Sequence, residues 1–253
     1  MTGTAQPAVV GVLGGMGPEA TVELMRRVIA MTPAEEDQDH IRMIVEHNPK
    51  VPSRIKALID KTGESPAPVL IEMAKRLETA GANVLAMPCN TAHAYADQIR
   101  ATTSIPLLDM IGLTASRLSR MLLKYRRVGL LASTAVRSLG LYEHALDPLG
   151  ITVAYPRDQA QVMRLIKAVK RGETGADQRR ELLAIAEELQ DADVLIIACT
   201  ELSVLADGLD SAKAVLDSLD VLVEEVVAWG LGSRTAKRTR KKFHTSHSIG
   251  DRG

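Results

Sequence analysis

Two short apolar runs, each ending at a cysteine, constrain the fold more than any other feature of this sequence. Residues 82–87 (ANVLAM) lead through one proline to Cys89, and residues 193–198 (DVLIIA) lead directly to Cys199. Nearly uninterrupted apolar runs of this length are typical of strands buried on both faces of a parallel sheet. Each of the chain's two cysteines is therefore expected at the carboxyl end of a buried strand, where open α/β sheets bind their ligands.

A glycine-rich turn begins the first half of the chain. Residues 8–13 predict a strand, residues 19–31 predict a helix with apolar side chains at three- and four-residue steps, and residues 14–17 (GGMG) join them. This turn lacks the Lys-Ser/Thr of a nucleoside triphosphate loop and the GxGxxG spacing of a dinucleotide site. Amides at the start of the helix can still bind a small anion, with a plain tight turn as the alternative. We expect Met16 of this turn to contact the ligand.

The strand and helix pattern then repeats, which predicts two lobes of one design. Residues 128–135 align with residues 10–17, and a strand that leads to a cysteine recurs late in each half. We predict an α/β fold of two Rossmann-like lobes with parallel sheets, residues 1–112 and 113–232, related by a pseudo-twofold axis with the site in the cleft between them. Chance similarity of apolar strands is the alternative. Further strands are predicted at residues 41–46, 105–110 and 151–154, and helices at 68–81, 91–102, 111–125, 138–149, 159–171, 178–189 and 221–230, the last packing back on the first lobe.

Composition argues against several functional classes. Lys plus Arg and Asp plus Glu each number 31, so the formal charges cancel, and the chain has only one Phe, one Trp and four Tyr. A neutral, aromatic-poor chain lacks the basic, base-stacking surface of a nucleic-acid-binding protein. No apolar run is long enough for a membrane span and no signal-peptide pattern is present, so a cytoplasmic protein with free thiols is expected.

The end of the chain has a different composition from the rest. Residues 233–253 contain seven Lys or Arg and one acidic residue, with few apolar side chains. This pattern predicts a disordered basic tail. An inert solubilising extension is favoured over a contact with nucleic acid or with an acidic surface.

The two cysteines limit the chemistry if they share one cleft. A zinc site needs more ligands, and no His or Cys stands at ligand spacing from Cys89 or Cys199. A disulfide redox pair normally uses the CxxC spacing, which is absent. A Cys-His hydrolase would pair Cys89 with His93, but it leaves Cys199 without a role, and His93 bonded to backbone is the alternative.

Proton transfer at a stereocentre uses both thiols. One thiolate removes the α-proton from one face while the opposite thiol delivers a proton to the other, so the centre inverts. Helix starts after each cysteine supply amides that bring a thiol pKa toward neutrality. Because the α-carbon is a weak acid, donors must hold the substrate carboxylate as charge develops on it. The candidate donors are the amides and hydroxyls of Asn90, Thr91, Ser133, Thr134 and Thr200.

An arginine ends the loop formed by residues 47–54. Pro49 and Pro52 disfavour a helix there. Arg54 can either form an ion pair on the surface or present a bidentate donor to a carboxylate. The residues alone leave both roles open.

Three motifs, in order, resemble the cofactor-independent aspartate/glutamate racemase family, and within it the aspartate racemases: residues 14–21 (GGMGPEAT), 87–93 (MPCNTAH) and 199–202 (CTEL). The resemblance covers residues 9–227. It implies two similar α/β lobes with a small amino-acid substrate between them, no pyridoxal phosphate, no metal and a homodimer. By position, it implies that Cys89 and Cys199 are the catalytic pair, and it associates Arg54 and Lys170 with the side-chain carboxylate of the substrate.

Two segments depart from the family pattern. Residues 52–54 read PSR where the family usually has Pro-Asp-Arg, and residues 133–136 read STAV where Thr-x-Gly-Thr is usual. Both changes bear on the choice of aspartate more than on two-thiol proton transfer. The sequence therefore favours a racemase of aspartate or a related acidic amino acid. The alternatives are a related enzyme, such as a maleate isomerase, hydantoin racemase or arylmalonate decarboxylase, and a small-carboxylate binding module without catalysis.

Overall fold

The structure is a computed structural model that describes residues 7–121, 126–206, 209 and 211–233, and it contains two parallel β-sheets. In the first sheet the strand order is β2-β1-β3, and in the second it is β5-β4-β6-β7. The predicted α/β fold with two parallel sheets is confirmed. The strands are β1 (Val10–Gly14), β2 (Met43–His47), β3 (Val84–Ala86), β4 (Arg127–Ala132), β5 (Thr152–Ala154), β6 (Val194–Ala198) and β7 (Ala214–Asp217).

Helices connect and cover these strands. The α-helices are α1 (Pro18–Met31), α2 (Ala67–Thr79), α3 (Ala96–Arg100), α4 (Met110–Met121), α5 (Thr134–Ser138), α6 (Leu141–Leu146), α7 (Gln159–Lys170), α8 (Ala176–Glu187), α9 (Thr200–Ser203) and α10 (Ser218–Gly230). Short 3₁₀ turns occur at Asp37–Asp39, Thr91–Tyr95 and Asp147–Leu149, and a π-helical turn occurs at Lys56–Asp60. None of the helices within the described ranges has both the length and the apolar character needed to cross a bilayer.

The central strands are buried along their whole length, as their apolar sequences predict. Every residue of β1, β3 and β6 is buried. Because helices cover both faces of a parallel sheet, such strands need apolar side chains at successive positions, not only at alternate ones. The helices predicted at residues 19–31, 68–81, 159–171 and 178–189 are also confirmed as α1, α2, α7 and α8.

The helix predicted over residues 91–102 is wrong in its first half. The chain forms a 3₁₀ turn at Thr91–Tyr95 before α3 begins. The amide of His93 donates to the carbonyl of Asn90, three residues earlier, and the His93 side chain bonds back to the carbonyl of Cys89. These bonds tighten the turn that follows Cys89.

Two other predicted elements are shorter than expected. Residues 105–110 form a single bridge, between Leu107 and Leu85, in place of a strand. Pro106 has no amide hydrogen, and the side chain of Asp109 already caps the next helix by accepting the amide of Gly112. The helix predicted over residues 138–149 is divided because Gly140 adopts a left-handed conformation with a φ of 60°.

The two halves of the chain repeat one strand order. In each sheet the first strand in sequence lies between the second and the third, and a further pairing adjoins the third strand: Leu107 in the first sheet and β7 in the second. The predicted lobe boundary between residues 112 and 113 falls inside α4 and stays a prediction. Of the expected basic tail at residues 233–253, only Ser233 is among the described residues. The end of the helix predicted over residues 111–125 also lies outside the described residues.

The last helix packs against the first sheet. Leu219, Leu222 and Val226 of α10 share a buried cluster with Val10 and Val12 of β1. The chain therefore returns from the second sheet to the first, which joins the two lobes through a common core.

Candidate active site

Both cysteines lie at the carboxyl ends of their sheets. Cys89 follows β3 by three residues and Cys199 follows β6 directly, and each is a free thiol with 6% of its surface exposed. They line one cavity between the two sheets. Two residues that are distant in the chain therefore line the same cavity, and their role as a catalytic pair stays a prediction.

One hydrogen bond joins the two cysteine loops directly, and a second contact joins the Cys89 loop to the start of α5. The Thr200 hydroxyl donates to the carbonyl of Pro88 at 3.1 Å, so the residue after one cysteine contacts the residue before the other. On the same side of the cavity the hydroxyls of Thr91 and Ser133 lie 3.3 Å apart. These contacts fix the separation of the loops.

The cavity is small, and most of the residues that line it are polar. Its volume is about 50 Å³, room for roughly four water molecules. This scale suits a small amino acid better than a nucleotide or a peptide. The predicted substrate-binding residues that line it are Met16, Arg54, Asn90, Thr91, Ser133, Lys170 and Thr200.

One predicted site residue lies outside the lining. Thr134 begins α5, and its amide donates to the sulfur of Met163 at 3.3 Å. Its neighbour Ser133 caps the same helix by accepting the amide of Val136. The roles proposed for these residues in binding stay predictions.

Cys199 has a carboxylate as its hydrogen-bond partner. Its thiol donates to Oε2 of Glu201 at 3.2 Å. Burial raises the pKa of the Cys199 thiol well above its usual value, and the negative charge of Glu201 adds to this effect, while Lys170 acts in the opposite direction. Cys199 is thus a protonated thiol at neutral pH.

The other oxygen of Glu201 pairs with Lys170. The Lys170 Nζ lies 3.3 Å from Oε1, and the side chains are 41% and 8% exposed, respectively. Burial lowers the pKa of Lys170, but Glu201 first and then the nearby thiols of Cys199 and Cys89 outweigh it, so this pKa is raised. Lys170 therefore stays charged beside both cysteines.

Arg54 is the second cation of the cavity. It is partly buried, and its Nη1 donates to the carbonyl of Pro52 at 3.3 Å. No carboxylate in the described ranges forms an ion pair with it. Its guanidinium can therefore bind an anionic ligand without displacing an internal partner.

Asn90 uses its side chain to connect the lobes. Its Oδ1 accepts the hydroxyl of Tyr142 at 2.7 Å, and its Nδ2 donates to the hydroxyl of Ser218 at 3.1 Å. Each polar atom of the buried amide thus has one partner from the second half of the chain. The side chain instead holds the Cys89 loop against α6 and α10.

His93 is bonded to the backbone and not to a thiol. Its Nδ1 lies 2.9 Å from the carbonyl of Cys89, and its Nε2 accepts the amide of Met110 at 3.1 Å. A carbonyl can only accept, so the proton is assigned to Nδ1 and the ring is neutral. Burial lowers the pKa of His93, which favours this neutral form. Of the two roles considered for His93, a partner of the Cys89 thiol or a bond to the backbone, the structure shows the bond to the backbone.

The glycine-rich turn packs closely around the site. Gly15 has a φ of 91° and lies against the backbone of Asn48, where a β-carbon would overlap it. Its amide donates to the hydroxyl of Thr21. Gly17 approaches Glu201 so closely that a β-carbon would lie 3.3 Å from Oε1. The turn thus closes the cavity over the carboxylate of Glu201.

Sequence reasoning missed Glu201 as a functional residue. In the sequence, Glu201 stands out only as part of a helix start and of the CTEL motif at residues 199–202. The available signal was an acidic residue two positions after a cysteine, within an otherwise apolar segment. In the structure this side chain is buried and bonded to a thiol.

A larger depression elsewhere has a different character. It measures about 500 Å³, and its lining includes Arg27, Asp217 and Asp220. Arg27 bonds to both aspartates. These charged groups satisfy one another, and no cysteine lines the depression, so the smaller cavity is the better candidate for catalysis.

Several known proteins resemble this chain over most of its length. A family model described as Asp/Glu/Hydantoin racemase matches residues 13–226. The broad specificity amino-acid racemase RacX of Bacillus subtilis is 28% identical over 225 residues, which are 87% of this chain and 96% of RacX. The structure of Picrophilus torridus aspartate racemase is 33% identical with a TM-score of 0.80, over 88% of this chain and 94% of that one. An aspartate racemase homologue from Pyrococcus horikoshii, 21% identical, shares the fold with a TM-score of 0.69 over 90% of this chain and 100% of that one.

Proposed function

The chain belongs to the Asp/Glu/Hydantoin racemase family, and from this premise we propose that it is an amino-acid racemase that uses Cys89 and Cys199 as opposed acid and base. The single observation that carries the proposal is that both thiols line one cavity. The bond between Thr200 and Pro88 adds support because it holds the two loops together.

The chemistry follows from two thiols on opposite faces of a bound amino acid. The thiolate of Cys89 removes the α-proton, and the thiol of Cys199 delivers its proton to the opposite face of the same carbon. The product is the other enantiomer, with Cys89 now protonated and Cys199 a thiolate. The reverse reaction exchanges these roles, and the proton balance needs no cofactor.

We propose aspartate, or a related acidic amino acid, as the substrate. The support is Arg54, a cavity cation without a carboxylate partner among the residues that the structure describes. A guanidinium binds a carboxylate through two parallel hydrogen bonds. The relative from Picrophilus torridus, an aspartate racemase, is consistent with this choice.

A second candidate is a racemase with a wider substrate range. The observation in its favour is the pair between Lys170 and Glu201. The resemblance associates this lysine with the substrate side chain, but here an internal carboxylate already occupies it. Such a site has less need of an acidic side chain, and the relative RacX is described as having broad specificity.

The experiment is incubation of the pure protein with single enantiomers of aspartate, glutamate and alanine in deuterium oxide. We expect loss of optical rotation and α-deuterium incorporation, strongest for aspartate. Comparable rates for all three would favour the wider range, and binding without exchange would favour a module that lacks catalysis.

Single-cysteine variants test the proposed catalytic pair. Because each thiol is a general acid or base, Cys89→Ser and Cys199→Ser should each lower the rate of racemisation by about 10²-fold or more. The two variants serve as controls for each other, since both must keep the fold. Full activity in either variant would remove that thiol from the mechanism.

A further inference from the structure

We propose that Glu201 is a positioning residue for Cys199: its carboxylate accepts the hydrogen bond of the thiol and keeps the proton on this cysteine while the cavity holds no substrate. The inference rests on the proposed racemase function, in which one thiol must begin each cycle as the acid. It assigns that starting role to Cys199.

The geometry places Glu201 for this task. Its Oε2 accepts the Cys199 thiol at 3.2 Å, and its side chain is 8% exposed. Helix α9 begins directly after Cys199, and Glu201 lies in its first turn. Gly17 approaches the same carboxylate from the glycine-rich turn. A carboxylate enclosed in this way has little freedom to turn toward solvent, so the thiol is its fixed partner.

Lys170 completes the arrangement from another helix. It ends α7 and binds Oε1, the oxygen that the thiol does not use. The ammonium of Lys170 lies 3.3 Å from this oxygen and forms an ion pair with it. The other titratable or charged side chains of the cavity are Cys89 and Arg54. Glu201 is therefore the source of negative charge in direct contact with the Cys199 sulfur.

The physical consequence is an asymmetry between the two thiols. Ionisation of Cys199 would place a thiolate beside a carboxylate, with burial weakening the solvation of both. The thiol form avoids this repulsion and donates a hydrogen bond instead. When the α-carbon takes the proton of Cys199, the new thiolate lies against Glu201, and Lys170 provides the compensating charge. The enzyme without substrate thus returns to the form with the proton on Cys199.

The test measures the ionisation of Cys199 without turnover. In a Cys89→Ser background, the rate of alkylation by iodoacetamide is followed against pH, with mass spectrometry of the peptide that contains Cys199. The midpoint of this profile reports the thiol pKa, because the thiolate is the nucleophile. Glu201→Gln should lower the midpoint by roughly 1 to 2 pH units by removing the like charge.

Two lysine variants give the matched comparison. Lys170→Gln should move the midpoint upward, opposite to Glu201→Gln, because it removes the compensating charge. Lys167→Gln, at an exposed position on the same helix, should leave the midpoint unchanged. Circular dichroism identifies any variant that does not fold. If Glu201→Gln does not fold, the direction in which Lys170→Gln moves the midpoint is the test of the inference.

An unchanged midpoint in folded Glu201→Gln, or a downward shift in Lys170→Gln, would overturn the inference. Neither result depends on catalysis. Failure of this test therefore leaves the racemase proposal standing, and failure of the deuterium experiment leaves the measured role of Glu201 standing.

Discussion

At the scale of single residues, the two cations of the cavity differ in their pairing. Lys170 is bound to Glu201, whereas Arg54 donates to a backbone carbonyl and pairs with no carboxylate in the described part of the chain. A ligand carboxylate that approaches Lys170 must share it with Glu201. Arg54 offers its charge without that competition, so it is the stronger candidate for binding the acidic side chain of a substrate.

Arg54→Ala should therefore weaken the reaction of aspartate more than that of alanine. Hydrogen bonds to charged groups contribute about 1.5 to 3 kcal/mol, so kcat/KM for aspartate should fall by roughly 10- to 150-fold. Steady-state kinetics with both substrates measure the difference. Arg164→Ala, on an exposed part of α7, is the control and should change neither. An equal loss for aspartate and alanine would mean that Arg54 does not bind the side chain.

His93 acts on the site through the backbone. Its neutral ring connects the carbonyl of Cys89 to the amide of Met110 at the start of α4. Protonation of Nε2 would remove the acceptor of the Met110 amide, and Nε2 would then face that amide and the carbonyl of Leu108, which lies 3.4 Å away. The bond that Nε2 accepts from the Met110 amide is therefore made only while the ring is uncharged.

This arrangement predicts a pH dependence of stability. Burial places the folded pKa of His93 below the usual 6.5, so below pH 6.5 the unfolded chain binds more protons than the folded protein. The stabilisation is complete above that pH and is lost as the pH falls toward the folded pKa. His93→Gln should reduce this acid-side loss in the free energy of unfolding, measured with urea. The control is His40→Gln, at an exposed position; a wild-type slope in His93→Gln would contradict the assignment.

The sequence identifies the two cysteines of the site more readily than it identifies Glu201, the hydrogen-bond partner of Cys199. Cys89 and Cys199 are recognisable because a thiol directly after a buried strand has a defined place in a parallel sheet. Glu201 is not recognisable in this way, since an acidic residue in the first turn of a helix normally interacts with the helix dipole in solvent. Its burial beside Cys199 also involves Gly17 and Lys170, which lie close to it in the fold and are distant in the sequence.

At the scale of secondary structure, the sequence predicts the fully buried strands and the long helices well, and the short helices and the strand at residues 105–110 poorly. The strands β1, β3 and β6 are continuous apolar runs, and packing between helices demands that pattern. The helix after Cys89 is different because side-chain bonds to the backbone decide its geometry. The contact of His93 with the Cys89 carbonyl is one example, and no periodicity in the sequence encodes it.

A buried ionic cluster fastens α1 to the end of the second sheet. Arg27 of α1 bonds to Asp217 at 2.6 Å, to Asp220 at 2.7 Å and to Glu23 at 2.6 Å, and its Nη2 donates to the carbonyl of Ser203. Arg27 and Asp217 are 8% and 7% exposed. The cluster therefore joins an element of the first lobe to elements of the second.

Arg27→Met should destabilise the protein by about 3 to 5 kcal/mol, because it leaves a buried aspartate without its partner. Urea unfolding measures the change. Arg164→Met removes an exposed pair with Asp158 on α7 and should change stability by less than about 1 kcal/mol. Equal effects of the two variants would show that the buried cluster does not hold the elements together.

At the scale of the whole molecule, the two lobes form one site because several contacts cross between them. The Thr200 bond to Pro88 joins the cysteine loops, the Asn90 bonds reach Tyr142 and Ser218, and α10 packs on the first sheet. The repeated strand order then brings the carboxyl ends of β3 and β6 to the same cavity. The homodimer and the cytoplasmic location expected from the sequence stay predictions.

Two opposed bases give a labelling pattern that a single base cannot. One cysteine takes the proton from one face of the α-carbon and the other cysteine delivers a different proton to the opposite face, so the proton removed is not the proton returned. The product acquires hydrogen from solvent-equilibrated Cys199 or Cys89, while substrate that has not reacted keeps its original hydrogen. A single base that serves both faces would label substrate and product alike.

The most direct measurement is racemisation of L-aspartate in deuterium oxide, stopped at low conversion, with the α-deuterium content of each enantiomer determined after chiral separation. The two-thiol account predicts deuterium in the D-aspartate formed and almost none in the L-aspartate recovered. Equal deuterium in both enantiomers, or D-aspartate without deuterium, would contradict it.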